Sequence, residues 1–81
     1  GSYQVQLSAV RSEAAAEAEW KKLQKANQDL LGGLTLAVVR ADLPGKGTFY
    51  RVRAGALSEQ AARDLCAELK QRKAACLVVP P

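Results

Sequence analysis

The sequence predicts a small α+β domain with one four-stranded antiparallel sheet and two helices on one face of that sheet. The first observation is that two segments, one beginning at Tyr3 and one at Tyr50, alternate apolar and polar residues. The second observation is that each segment is followed by a serine and a helical pattern, so the chain contains the same strand-helix unit twice. The third observation is a β-rich run between the two units and a short apolar run at the end, which completes the order β-α-β-β-α-β.

In the first unit, the strand covers Tyr3 to Val10. A helix is predicted to follow, with Ser12 as its N-cap and Glu13 in its first turn. The Gly32-Gly33 pair predicts where that helix ends. One stripe of residues steps by three and four positions, as expected of one continuous helix packed on a core. It consists of Ala16, Trp20, Leu23, Asn27 and Leu30.

The middle of the chain predicts a hairpin. Leu34 to Ala41 is rich in β-branched and apolar residues, and the segment from Leu43 to Gly47 holds one proline and two glycines. These turn residues predict that the chain reverses into a strand over Phe49 to Ala54.

The second unit continues with a helix that begins at Ser58-Glu59 and ends in basic residues. Its buried face is predicted to hold Ala62, Leu65, Cys66 and Leu69. The basic cluster of Lys70, Arg72 and Lys73 is predicted to be a solvated, dipole-matched helix end, and a secondary contact with anionic polymers or acidic lipid is the alternative. A last strand covers Cys76 to Val79 before Pro80-Pro81 stops it.

The composition of the chain argues against several classes of function. With 81 residues the chain is predicted to form one domain over residues 3–79, with Gly1-Ser2 as a cloning scar and residues 80–81 as a tail. It contains no histidine, which removes Ser-His-Asp and Cys-His catalysis and histidine metal sites, so we expect no enzyme, no metal and no cofactor. No apolar run approaches the roughly 18 residues of a membrane span. A net charge of +4 permits a polyanionic partner without requiring one.

The face of the sheet opposite the helices is the candidate binding surface. Strand alternation, with Val5, Leu7 and Val52 turned toward the helices, predicts which side chains this face carries. Amides, guanidinium groups and a ring suit ligands rich in hydroxyl and amide groups, as well as phosphates. A solvated polar face without a ligand is the alternative. The predicted residues are Gln4, Gln6, Ser8, Phe49, Arg51 and Arg53.

A nucleic-acid-binding module of the same topology is one alternative function. Lys46 to Tyr50 resembles the start of the RNA-recognition signature, but Arg51-Val52-Arg53 then stands where further small and aromatic residues belong. We therefore expect no nucleic acid as partner. A protein-interaction domain that dimerises through its sheet is the other alternative.

The chain resembles a SPOR domain (sporulation-related repeat), a peptidoglycan-binding module of the bacterial periplasm, and is most similar in pattern to those of alphaproteobacterial envelope proteins. The resemblance spans Tyr3 to Val79. The residues that carry it are Tyr3-Gln4-Val5-Gln6-Leu7-Ser8, Tyr50-Arg51-Val52-Arg53-Ala54-Gly55, Trp20, Leu30-Leu31-Gly32, Lys46 to Tyr50, Leu65-Cys66 and Cys76 to Val79.

This resemblance implies a ferredoxin-like fold and a module that binds glycan strands whose stem peptides have been removed. It implies a monomeric domain of a larger exported or membrane-anchored protein, in the periplasm at the division septum. Gln6, Phe49 and Arg51 correspond to family binding positions. The chain departs from the family at Ser8-Ala9-Val10 and Gly55-Ala56-Leu57, where Gly-Ser-Phe and Gly-Pro-Phe are common, and lacks a glycine before the last strand, so weaker or altered binding is expected.

The two cysteines, Cys66 and Cys76, lie close enough along the predicted helix and last strand to meet. The residues alone leave open whether they form a disulfide or two buried thiols. The resemblance to a periplasmic family favours the disulfide.

Overall fold

The computed structural model describes all 81 residues and confirms the predicted α+β fold with its four-stranded antiparallel sheet. One element is additional, a single helical turn after the first helix. The elements are β1 (Tyr3–Val10), α1 (Glu13–Ala26), α2 (Gln28–Leu31), β2 (Thr35–Leu43), β3 (Gly47–Leu57), α3 (Glu59–Gln71) and β4 (Leu77–Val79). No helix has the length and apolar character needed to cross a membrane.

The strands lie in the order β2-β3-β1-β4, so that β1 and β3 form the central pair. All three neighbouring pairs are antiparallel. The last strand is short and pairs only with Gln4, Val5 and Gln6 of β1. Beyond Gln6, β1 therefore has no hydrogen-bonded partner on its β4 side.

The core lies between one face of this sheet and the helices. Val5, Val52 and Ala54 on the central strands are completely buried. Both long helices begin as predicted, because the Ser12 Oγ accepts a hydrogen bond from the Ala15 amide and the Ser58 Oγ accepts one from the Ala61 amide. The helix residues buried against the sheet are Ala16, Trp20, Leu31, Ala62, Leu65, Cys66 and Leu69.

The prediction of one continuous first helix is wrong, because the chain breaks at Asn27 between α1 and α2. Asn27 leaves helical geometry, with φ −132° and ψ 48°. Its side-chain nitrogen donates to the Leu23 carbonyl at 3.1 Å, and its side-chain oxygen accepts from Arg72 at 3.2 Å. Asparagine often competes in this way with helical hydrogen bonding. The break turns the chain so that Leu31 in α2 is completely buried.

Cys66 in α3 and Cys76 just before β4 form a disulfide. Their Cα atoms are 5.1 Å apart, and both residues are buried. The bond joins the helix layer to the segment that leads into the shortest strand of the sheet.

Candidate functional site

The open face of the sheet, meaning the side opposite the helices, carries five of the six predicted site residues. Val52 and Ala54 of β3 point into the core, so alternation turns Phe49, Arg51 and Arg53 to the open face. Directly paired residues in antiparallel strands share a face. Because Gln6 pairs with Arg53, and Gln4 pairs with Gly55, both glutamines of β1 lie on the open face as well.

Ser8 does not lie there, and its predicted position is wrong. The register of β1 shifts between Gln6 and Ser8, so that Ser8 pairs with Val52, on the helix side of β3. Its Oγ lies 3.5 Å from the Glu19 carboxylate of α1. A β-bulge adds one residue to a strand and reverses the alternation beyond it. As a result, Ala9 occupies the open-face position opposite Arg51.

Gln6 and Arg53 form a cross-strand pair at the centre of the sheet. The Arg53 Nε donates to the Gln6 Oε1 at 3.1 Å, which holds both side chains in place. The Gln6 amide nitrogen and the two terminal nitrogens of Arg53 have no acceptor in the protein. The pair therefore presents an ordered group of hydrogen-bond donors.

Arg11, which immediately follows β1, belongs to this face and was missed by the sequence analysis. Its guanidinium carbon lies 4.0 Å from the centroid of the Phe49 ring. Its Nη1 also donates to the Lys46 carbonyl at 3.0 Å and lies 3.5 Å from the Thr48 carbonyl. One side of the Phe49 ring is thus covered by a cation. Strand alternation carries no signal for this contact, because the residues meet only when the hairpin folds beside the end of β1.

The arginines divide into two groups according to their partners. Away from the open face, each of three arginines contacts a carboxylate: Arg40 with Asp42 at 3.3 Å, Arg63 with Glu59 at 2.9 Å, and Arg72 with Asp29. The other three, Arg11, Arg51 and Arg53, form no salt bridge, and no strand position on the open face holds an aspartate or glutamate. The open face is therefore positively charged.

Asp29 and Asp42 accept hydrogen bonds from their partners, and these bonds lower the pKa of each carboxyl group. A hydrogen bond from Arg72 lowers the pKa of Asp29, and the same pair raises the pKa of the guanidinium. A hydrogen bond from Thr48, with a further one from Arg40, lowers the pKa of Asp42. Arg72 is thus part of a structural ion pair, and of the predicted basic cluster only Lys70 and Lys73 lack one.

A shallow depression of about 280 Å³ adjoins Gln6 at the beginning of β4, where β1 extends beyond the paired residues. Leu77 lines it and is 61% exposed. The depression thus adds an apolar contact area beside the donor group. Its lining residues are Gln6, Leu7, Ser8, Ala9, Ala75, Cys76 and Leu77.

Comparison with known proteins agrees with this architecture. A family model described as "SPOR domain" matches residues 1–80. The SPOR domain of RlpA from Pseudomonas aeruginosa has a similar structure, with a TM-score of 0.63 and 18% identity, covering 98% of this chain and 99% of that chain. The peptidoglycan-binding domain of the B. subtilis cell wall lytic enzyme CwlC gives a TM-score of 0.63 and 24% identity, covering 95% of this chain and 85% of that chain. No curated protein sequence gave a match.

Proposed function

The chain belongs to the SPOR-domain family, and from this premise we propose that it is a non-catalytic module that binds peptidoglycan through its open face. The ligand we propose is the glycan strand from which stem peptides have been removed. Such strands accumulate at the division septum, so the module would bring a larger exported or membrane-anchored protein to that site in the periplasm.

The observation that carries the proposal is the set of donors on the open face. Gln6 and Arg53 are fixed by their mutual hydrogen bond, and Arg51 lies beside them without a protein partner. Sugar hydroxyls and acetamido carbonyls accept hydrogen bonds from such donors. The depression next to Gln6 supplies apolar contact of the kind that acetamido methyl groups need.

The same surface supports a binding role more than a catalytic one. Glycan hydrolysis uses a pair of carboxyl groups placed on either side of the scissile bond. The open-face strand positions hold no carboxylate, and the chain has no histidine to act as a general base.

The direct test is co-sedimentation with purified sacculi, comparing untreated sacculi with sacculi stripped of stem peptides by an amidase. We expect stronger binding after amidase treatment. Gln6→Ala, Phe49→Ala and Arg51→Ala should each weaken that binding while leaving the melting temperature near that of the wild type. Arg63→Ala, on α3 at the other side of the sheet, is the matched control and should bind normally. Wild-type binding by all three open-face variants would contradict the assignment.

Single-stranded nucleic acid is a second candidate ligand, because three unpaired arginines on one face also suit phosphates. Against it, Arg11 covers one side of the only open-face ring, which reduces base stacking. Salt separates the candidates. Three phosphate contacts predict that binding falls about 20-fold between 50 and 200 mM salt, whereas contacts dominated by neutral sugar groups predict a much smaller loss.

A further inference from the structure

The unpaired arginines of the open face point to an anionic group on the ligand. Every arginine elsewhere in the chain contacts a carboxylate, whereas Arg11, Arg51 and Arg53 contact none. Planar guanidinium groups bind carboxylates through two parallel hydrogen bonds. A face that concentrates three such groups without acids is suited to an acid supplied by another molecule.

We propose that Arg11 and Arg51 form a subsite for the carboxylate of N-acetylmuramic acid, the group that is free only when the stem peptide is absent. This inference rests on the proposed function. In intact peptidoglycan the lactyl group of this sugar is joined to the peptide by an amide bond. Hydrolysis by an amidase consumes water, releases the peptide amine and leaves a carboxylate on the sugar. That acid is ionised at neutral pH, since carboxyl pKa values lie near 4.

The local geometry favours Arg11 for this role. Only its Nη1 is used within the protein, in the contacts to the Lys46 and Thr48 carbonyls. The edge formed by Nε and Nη2 has no protein acceptor and matches the two oxygens of a carboxylate. The contact with Phe49 holds the guanidinium in place before any ligand arrives, which lowers the entropy lost on binding.

Arg51 lies on the same face, on the strand that carries Phe49. It follows Phe49 by two residues on β3, a spacing of roughly 7 Å along the strand. Its cross-strand partner is Ala9, whose side chain is a single methyl group. The β-bulge that turns Ser8 away is the reason that this small residue stands opposite Arg51. The ligand carboxylate would lie above Ala9, between the two guanidinium groups.

This subsite would let the module distinguish glycan strands that an amidase has cleaved from strands that keep their stem peptides. A denuded strand offers an anion to Arg11 and Arg51. A strand that keeps its stem peptide offers a neutral amide at the same position, and it also leaves two cations without a partner. The preference for denuded strands would then depend on charge as well as on the bulk of the peptide.

The test compares two forms of one soluble ligand by isothermal titration calorimetry. Glycan oligosaccharides are released by a muramidase from amidase-treated sacculi, and half of the material is converted at its carboxylates to the methylamide. The folded wild-type domain should bind the carboxylate form at least tenfold more tightly, or by about 1.4 kcal/mol. Arg11→Gln and Arg51→Gln should each lower affinity for the carboxylate form more than affinity for the methylamide form, so that the tenfold preference is lost.

Arg63→Gln removes the same charge from α3 and should keep the wild-type preference. Arg11→Lys keeps the charge but loses the planar fork, so it should lie between the wild type and Arg11→Gln. A melting temperature near that of the wild type shows that each variant has folded. Equal wild-type affinity for the two forms, together with capture by amidase-treated sacculi, would overturn the subsite and leave the proposed function in place. Failure to bind both soluble forms and the sacculi would overturn both.

Discussion

Reduction of the Cys66–Cys76 disulfide should destabilise the domain by a large share of its total stability. The bond joins positions separated by 10 residues, and a loop of that length corresponds to about 2.7 kcal/mol of chain entropy at 25 °C. A domain of 81 residues has a total stability of roughly 4 to 12 kcal/mol. Because 1 kcal/mol shifts the melting temperature of such a domain by about 4 to 8 °C, reduction should lower it by roughly 10 to 20 °C.

The effect should be concentrated near β4. This strand has three residues and pairs only with β1, and the disulfide links α3 covalently to the residue just before it. Hydrogen exchange of the Val78 and Val79 amides should therefore accelerate on reduction more than that of the central β3 strand.

The assay is thermal unfolding followed by circular dichroism, with and without a phosphine reductant. The matched control is the double variant Cys66→Ala/Cys76→Ala, which has no disulfide to reduce and should melt at one temperature under both conditions. A shift smaller than about 4 °C in the wild type would refute the chain-entropy reasoning. If reduction accelerated exchange more at β3 amides than at β4 amides, the proposed location of the effect would be refuted.

Three further outcomes concern the helix layer. Leu31→Ala removes a completely buried side chain and should cost about 2 to 5 kcal/mol in urea unfolding, whereas the same substitution at the exposed Leu77 should change stability by less than about 0.5 kcal/mol; equal effects would contradict the burial argument. Ser58→Ala should cost about 1 kcal/mol through the lost N-cap bond, and Ser58→Gly much less. The pKa of Asp29 is lowered in the folded state, so its stabilising contribution should be complete above about pH 5 and be lost as pH falls through 4 and below, where the unfolded carboxyl takes up its proton first. Asp29→Asn should therefore be less stable than the wild type at pH 7, with the difference shrinking below pH 4, and a constant difference across that range would contradict the role of its pair with Arg72.

The strands, most of the helices and the order of elements could be predicted because they depend on residues close together in the chain. Alternation from Tyr3 to Leu7 and from Phe49 to Ala54 specifies which side of each strand is apolar. The serine caps at Ser12 and Ser58 bond to amides three residues away. The open-face position of five of the six predicted residues follows from the same alternation.

The features that sequence reasoning missed depend on contacts between distant segments. Asn27 ends α1 where its side chain meets Arg72, which is 45 residues away, so nothing in the helical stripe reveals the break. Arg11 contacts the Lys46 carbonyl 35 residues away, and this contact brings a cation over Phe49.

The sequence by itself therefore determined the set of strands and helices and the polar character of the open face, because periodicity and capping act over a few residues. Only the tertiary structure decided how that face is arranged. The bulge in β1 depends on how two strands match in register, and it moves Ser8 into contact with α1 and Ala9 beside Arg51. Two of the arginine–carboxylate pairs are local in the chain, since Arg63 and Glu59 are four residues apart in α3 and Arg40 and Asp42 lie in the same strand. The pair of Arg72 with Asp29 joins residues 43 apart, so only the folded chain brings its two charges together.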